Sequence, residues 1–133
     1  MSSHLFIIAL GSNMANAPRV LEWARRKLRA KFGTMCRFSH PVWTEPIAYP
    51  YPFPFLNQVA EITTNRPQGV VEALLKVMEG EMMHRRCDPG EGRRIVDIDL
   101  LSFDGEVLRP DDWERPYVQE GVAALAASPS RKL

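Results

Sequence analysis

The order of extended and helical segments predicts an α+β fold, with an antiparallel sheet of about four strands packed with helices, plus a short extra hairpin. Three observations carry that prediction. Short apolar runs rich in strand formers alternate with two stretches whose apolar residues recur at helical spacing. Their order is strand–helix–strand–strand–helix–strand, the split βαβ plan of ferredoxin-like domains. The chain has 133 residues, enough for one compact core and little more, so residues 1–133 are read as a single domain.

Residues 5–10 (LFIIAL) form a short apolar run closed by Gly11-Ser12-Asn13, and read as a buried strand. Asn16 or a neighbour is suited to cap a helix that Pro18 helps to start. Val20, Leu21, Ala24, Leu28 and Phe32 then recur on one face, and Gly33 ends the helix. Residues 35–44 read as extended but contain Pro41, which argues for an edge position or a bulge. Residues 45–54 carry four prolines and two tyrosines, a loop of fixed shape because proline cannot donate a backbone hydrogen bond. Residues 56–63 make a third strand. Asn65 and Gln68 have capping-box spacing, and Val71, Leu74, Leu75, Met78 and Met82 make the apolar stripe of a second helix. Residues 84–94 read as a basic loop with Asp88-Pro89-Gly90 and Gly92 as turn signals. Residues 95–103 make a fourth strand, and Asp104-Gly105 is a two-residue hairpin turn into residues 106–108. The tail from residue 123 is mostly small and polar.

Composition narrows the function. Hydrophobic residues at 45% and charged residues at 25% are ordinary for a soluble globular protein. A formal net charge of +1 implies no general attraction to nucleic acid or membrane. Cys36 and Cys87 match no zinc spacing and read as free thiols of a cytosolic protein. The apolar run near the N-terminus is too short for a signal or membrane segment, so a cytoplasmic location is expected. His4, His40 and His84 share no metal-ligand spacing, and Trp23 and Trp43 read as packing residues.

Asp97-Ile98-Asp99 is the sharpest chemical signal. Positions i and i+2 of a strand face the same way, about 7 Å apart, while Val96, Ile98 and Leu100 take the buried face. Two carboxylates held side by side can collect hard cations that keep several waters, the manner in which Mg²⁺ binds with nucleotide phosphates. A solvated strand face is the bland alternative. Arg85, Arg86, Arg93 and Arg94 stand just upstream, and arginine forks suit phosphate oxygens; charge balance with Asp97, Asp99 and Glu91 also accounts for them. Phe55 and Asn57 share one face if extended, an aromatic plane beside an amide that suits a flat heterocycle; core and turn roles are the plain alternatives. Gly11-Ser12-Asn13 is no phosphate-binding P-loop, because the G-x-x-x-x-G-K-[ST] pattern is absent.

Taken together these stretches resemble the hydroxymethyl-dihydropterin pyrophosphokinase family. The matching stretches are Ala9-Leu10-Gly11-Ser12-Asn13, Thr44-Glu45-Pro46-Ile47, Phe55-Leu56-Asn57, Glu79, Arg86, and Arg94-Ile95-Val96-Asp97-Ile98-Asp99-Leu100-Leu101. They fall in the family's order across roughly residues 5–108, and the R-x-x-D-[ILV]-D-[ILV] element is the specific one. The resemblance implies a ferredoxin-like domain that moves pyrophosphate from ATP to the 6-hydroxymethyl group of a dihydropterin and releases AMP, in folate biosynthesis. It implies that Asp97 and Asp99 bind two Mg²⁺ ions, with Arg94 and Arg86 steadying phosphates. Glu79 and Leu100 would help hold the nucleotide, and Thr44, Pro46, Phe55 and Asn57 the pterin. Partners would be these two small molecules, with no nucleic acid, no membrane, and a monomeric chain. Four positions depart from the family pattern: His84 for an arginine, Glu91 for a tryptophan, Tyr117 for a histidine, and Val122 for the aromatic of an Arg-Gly-Phe. The chain also stops short of the family's usual C-terminal region. A weakened relative that binds pterin or nucleotide without efficient transfer is the alternative these departures leave open.

Overall fold

We describe residues 3–33, 35–45, 53–85 and 96–128 of a computed structural model of the chain. In chain order the elements are β1 (His4–Ser12), α1 (Ala17–Phe32), β2 (Cys36–Phe38), β3 (Val42–Thr44), β4 (Phe55–Thr64), α2 (Gln68–Arg85), β5 (Asp97–Phe103), β6 (Glu106–Val107), α3 (Pro110–Trp113) and α4 (Pro116–Ala127). The described strands pair antiparallel in the order β2-β4-β1-β5-β6, with β3 also on β4. Counting β2 and β3 as one interrupted edge strand, this is the ferredoxin-like arrangement expected from the sequence.

The edge interruption has a local cause. Phe38 pairs with Ala60 and Val42 with Asn57, so the edge carries one residue more than β4 over the same span. Pro41 falls in that bulge, where no ladder donor is needed. Ser39 bridges the gap, giving its N–H to Val59 O and accepting from Val59 N through Oγ, both at 2.9 Å.

The sheet alternation sorts side chains into two apolar clusters. Phe6, Ile8 and Leu10 of β1 face α1 and α2, meeting Val20, Leu21, Ala24 and Leu28 of α1 and Val71, Leu75, Met78 and Met82 of α2. Each of these buried side chains larger than alanine contributes about 1.5–3 kcal/mol against exposure. Ile7, Ala9, Val59 and Leu101 face the other way, onto Val118 and Leu125 of α4. Simple alternation along β5 puts Ile98 in the first cluster and Leu101, on the Asp97/Asp99 side, in the second; a register shift between Ile7 and Ile8 then resets the alternation, so that Phe103 joins the first.

Several local expectations change. β1 continues through Gly11 and Ser12 because both neighbours pair along it to that end: Gly11 lies between Asn57 and Asp97. At the head of α1 the Asn16 side chain makes no capping bond, and its carbonyl receives Arg19 N and Val20 N instead. The capping box at Asn65–Gln68 does not form. The Pro67 carbonyl takes Val70 N and Val71 N, Thr64 Oγ1 takes Arg66 N, and the Gln68 amide goes to Glu72. α2 runs to Arg85, so His84 and Arg85 are helical rather than the start of a loop. The prolines of the 45–54 loop from Pro46 to Pro52 and the turn signals at 88–92 lie outside the described residues, as does Cys87. Cys36 is a buried free thiol whose S–H reaches Gly33 O at 3.3 Å. At the β5–β6 hairpin Asp104 and Gly105 take φ of 50° and 85°, the left-handed pair a tight hairpin turn requires.

The largest departure is at the C-terminal end: α4 runs through the first residues of the small, polar tail expected from residue 123, and α3 and the start of α4 occupy residues for which no element was expected. Pro110 and Pro116 each sit in a first helical turn. Val118, Gly121 and Leu125 make the buried stripe of α4. The last turn of α4 is held by Arg37, which donates to the carbonyls of Leu125 and Ser128 while pairing with Glu61 at 2.7 Å. A cation there also complements the negative end of the helix. Among the described residues, no helix is long and apolar enough to cross a membrane.

Two glycines make opposite predictions. A Cβ at Gly121 would lie 2.9 Å from Val59 Cγ2 and 3.1 Å from Val59 Cβ, so α4 rests on β4 only because position 121 has no side chain. Gly121→Ala should lower stability by about 1–2 kcal/mol, overpacking outweighing helix propensity. Gly80, in the middle of α2, has nothing within 4 Å of such a Cβ. Gly80→Ala should raise stability by about 1 kcal/mol. Denaturant melts of the two variants check both signs.

Candidate active site

The face that carries Ile7, Ala9 and Val59 is covered by α4 at one end only. At the other end the same strands present Gly11, Asn57, Asp97 and Asp99 to an open cleft of about 590 Å³. Thr44 and Phe55 close one side of it. Arg109, Asp112, Arg115 and Tyr117, from the segment that follows the hairpin, close the other.

Asp97 pairs with Gly11 and Asp99 with Ala9, so both acids project from β5 on the side away from α1 and α2. Ile98 between them is buried in the first cluster, and Val96 just before β5 is buried with it. The acids are thus fixed to a strand that is paired along its length. Burial pushes the Asp99 carboxyl above its ordinary range; Arg109 opposes that push and the neighbouring Asp97 adds to it. Two carboxylates held together in a half-buried cleft offer a seat for hard cations. Among the described residues, no group of three or more His, Cys, Asp and Glu gathers as a closed protein cage.

The amide side of the cleft is built around Gly11. A Cβ there would meet Asn57 Oδ1 at 3.0 Å, so the missing side chain gives the amide room to lie across β1. Asn57 is buried, and its Nδ2 donates to Thr44 Oγ1 at 2.5 Å and to Phe55 O at 3.4 Å. Both amide protons are therefore committed, and Oδ1 is left to accept.

A second hollow of about 520 Å³ opens between α2 and the outer side of β5, lined by Glu72, Lys76, Glu79, Leu100 and Leu108. It shares Asp99 and Arg109 with the first. Glu79 Oε2 accepts the Ile98 backbone N–H at 2.8 Å, which pins α2 to the strand at the residue between the two acids. Of the expected site residues, then, Asp97, Asp99, Thr44, Phe55 and Asn57 come together in one cleft, and Glu79 and Leu100 in the adjoining hollow. Pro46, Arg86 and Arg94 lie outside the described residues, as does Glu91, and the helical His84 has no described side chain.

The sequence reading missed the cleft's far wall. The family's Arg-Gly-Phe was matched to Glu120-Gly121-Val122, where Gly121 packs on Val59 and Val122 packs against the second apolar cluster. An Arg-x-aromatic pattern occurs five residues earlier as Arg115-Pro116-Tyr117, and both Arg115 and Tyr117 line the cleft. Burial pushes the Tyr117 phenol up to about 12, so it stays a neutral donor on an aromatic wall. The signal that would have found it was the proline: Pro116 marks a helix start, which puts Tyr117 in its first turn.

The sequence matches the family model for 7,8-dihydro-6-hydroxymethylpterin-pyrophosphokinase over residues 7–127. A 2-amino-4-hydroxy-6-hydroxymethyldihydropteridine pyrophosphokinase of Porphyromonas gingivalis is 27% identical over 131 residues, covering 90% of this chain and 88% of its own. The protein of the same name from Bacillus subtilis is 28% identical over 132 residues, 92% of this chain and 78% of its own. The folate synthesis bifunctional protein of Arabidopsis thaliana is 29% identical over 121 residues, 84% of this chain and 25% of its own.

The raised Asp99 carboxyl has a signed consequence. Its folded pKa lies above its unfolded one, so the native state binds the extra proton between the two, and stability falls as pH rises through that window. Asp99→Asn removes the desolvated charge. Without added metal the variant should melt higher than the parent at pH 7, and the difference should vanish below about pH 4, near the ordinary carboxylate value. Thermal melts across pH 3–8 measure it, and an unchanged difference throughout would contradict the burial argument.

Proposed function

The chain belongs to the 7,8-dihydro-6-hydroxymethylpterin-pyrophosphokinase family, and from that membership we propose that the two joined hollows take its substrates, with pyrophosphate passing from ATP to 6-hydroxymethyl-7,8-dihydropterin and AMP leaving. One observation carries the reading: Asp97 and Asp99 stand between an aromatic-and-amide cleft and a second hollow that shares Asp99 and Arg109 with it.

In the pterin cleft Phe55 and Tyr117 supply aromatic walls for a flat ring, and Asn57 Oδ1 accepts an N–H from its edge. Thr44 acts through Asn57, holding the amide in that orientation. The family resemblance adds Pro46 to this side. ATP is assigned to the hollow floored by Leu100, with Glu79 positioning β5 beneath it. Arg109 and Arg115 are the described cations nearest the acids, and Arg86 and Arg94 are assigned the same phosphate-steadying role on the resemblance.

Mg²⁺ fits the donor set. It keeps several waters and takes one or two carboxylates together with substrate phosphates, which suits two strand-borne acids beside open space better than a closed cage. Asp97 and Asp99 would hold two such ions, and the metal supplies neutralisation of phosphate charge. The protein's own work is positioning. It brings the pterin hydroxyl up to the β-phosphorus, so that a new O–Pβ bond forms, the bond from Pβ to the oxygen bridging Pα and Pβ breaks with that oxygen leaving on AMP, and the hydroxyl proton passes to solvent. One chain lines both hollows, which supports action as a monomer, and dependence on ATP accords with a cytoplasmic location.

AMP formation from ATP, Mg²⁺ and the hydroxymethyl-dihydropterin tests the reading. Asp97→Ala should lower the rate by roughly a hundredfold or more with an unchanged fold. Asn57→Ala should raise KM for the pterin about tenfold. AMP formed equally without pterin, or undiminished in Asp97→Ala, would sink the proposal.

A further inference from the structure

Arg109 stands where the two hollows meet and lines both. Its Nε donates to Asp112 Oδ2 at 2.8 Å, while its Nη1 comes to 3.7 Å from Asp99 Oδ1. Asp112 turns its other oxygen, Oδ1, to Arg115 Nη2 at 3.1 Å. The three residues are spaced 109, 112, 115, and the short α3 turn sets that spacing: Trp113 N bonds to Arg109 O, and Arg115 N to Asp112 O. One carboxylate therefore tethers two guanidinium groups at the mouth of the acidic pair.

The two contacts of Arg109 are unequal. The one to Asp112 has the length of a charge-assisted hydrogen bond, whereas the one to Asp99 is a looser ion pair. A divalent cation arriving at Asp99 competes for the oxygen that faces Nη1, and displacing Nη1 leaves the Asp112 tether in place.

We propose that Asp112 is a positioning residue that holds Arg109 as an exchangeable counter-ion to Asp99. Arg109 neutralises the acidic pair until a divalent cation takes Asp99, and Asp112 then keeps the released guanidinium at the junction, where it meets phosphate. The inference rests on the reading above that Asp97 and Asp99 seat metal.

The test uses Mn²⁺ on the nucleotide-free protein, with binding followed by loss of the free-ion paramagnetic resonance signal, a readout that needs no turnover. Arg109→Gln should bind Mn²⁺ roughly two- to fivefold more tightly than the parent, the scale of a part-exposed ion pair. Arg115→Gln removes the same charge from the same cleft without a contact to Asp99, and should change binding less. Equal tightening in both variants would reduce the effect to bulk cleft charge and overturn the proposal. For the tether, Arg109→Gln and Asp112→Asn should each raise KM for ATP more than they lower kcat. Asp112→Asn should add nothing in the Arg109→Gln background, and additive effects would overturn its positioning role. Asp97→Asn separates the two readings. If it leaves Mn²⁺ binding intact, the metal seat fails and this inference with it; if it loses binding while Arg109→Gln matches the parent, only the counter-ion exchange fails.

Discussion

The register of β1 between its two neighbours is the constraint on which the molecule depends. β1 is paired along both edges, and at its far end Gly11 lies between Asn57 on β4 and Asp97 on β5. Side chains alternate strictly along a strand, so a slip of one residue on either side would turn Asn57, or Asp97 and Asp99, toward the α1–α2 core and bring Ile98 out. Burying two unpartnered carboxylates among Val96, Val71 and Met78 is prohibitive, and the apolar cluster therefore enforces the register that assembles the cleft. Stability of the core and geometry of the site are one requirement here. The register shift at Ile7/Ile8 is absorbed farther along β5, beyond the acids, where it returns Phe103 to the α1–α2 core.

The cleft exists because α4 covers half a face. Its buried stripe is short, Val118, Gly121 and Leu125, and it meets the sheet at Ile7, Ala9, Val59 and Leu101. Contact at Gly121 brings the helix close to Val59, and Arg37 fixes its last turn. The N-terminal turn is then committed to the boundary between covered and open sheet, which is where Tyr117 stands. Tyr117 belongs to both regions, packed against the second apolar cluster and lining the cleft. The helix that closes the second core also supplies one aromatic wall of the site.

What could be read from the chain follows from which forces leave local traces. α1, α2 and the Asp97/Asp99 strand have periodic patterns, because each buries a face against a large cluster, and β1 is a continuous apolar run because it buries both. These elements were legible in the chain; Leu5, which is exposed, and Leu74, which stands outside the cluster, are the exceptions. α4 was not, since its stripe is three residues wide and one of them is glycine, so composition read as a small, polar tail. The glycine is informative only once Val59 is seen opposite it. The capping box at Asn65–Gln68 failed for a related reason: Pro67 had already begun the turn, and its carbonyl took the amide protons of Val70 and Val71. The Arg115-Pro116-Tyr117 triplet went unread because the family's Arg-Gly-Phe was matched to Glu120-Gly121-Val122, and it is the helix start at Pro116 together with the cleft lining that brings it out.

A rigid acidic pair raises a difficulty that the fold answers locally. Asp97 and Asp99 sit on a strand that cannot move without breaking its pairing to β1, so their mutual repulsion is not relieved by backbone adjustment. Relief has to come from side chains, and among the described residues Arg109 and Arg115, on the segment after β6, supply it to Asp99. Arg109 is half exposed and anchored by one strong contact to Asp112. The work is thus divided: the sheet supplies fixed charge, and the short α3 turn supplies movable charge of the opposite sign. Compensation by a side chain rather than by a closed cage keeps Asp99 accessible from both hollows and Asp97 from the first, and a site that must admit and release charged groups needs that access.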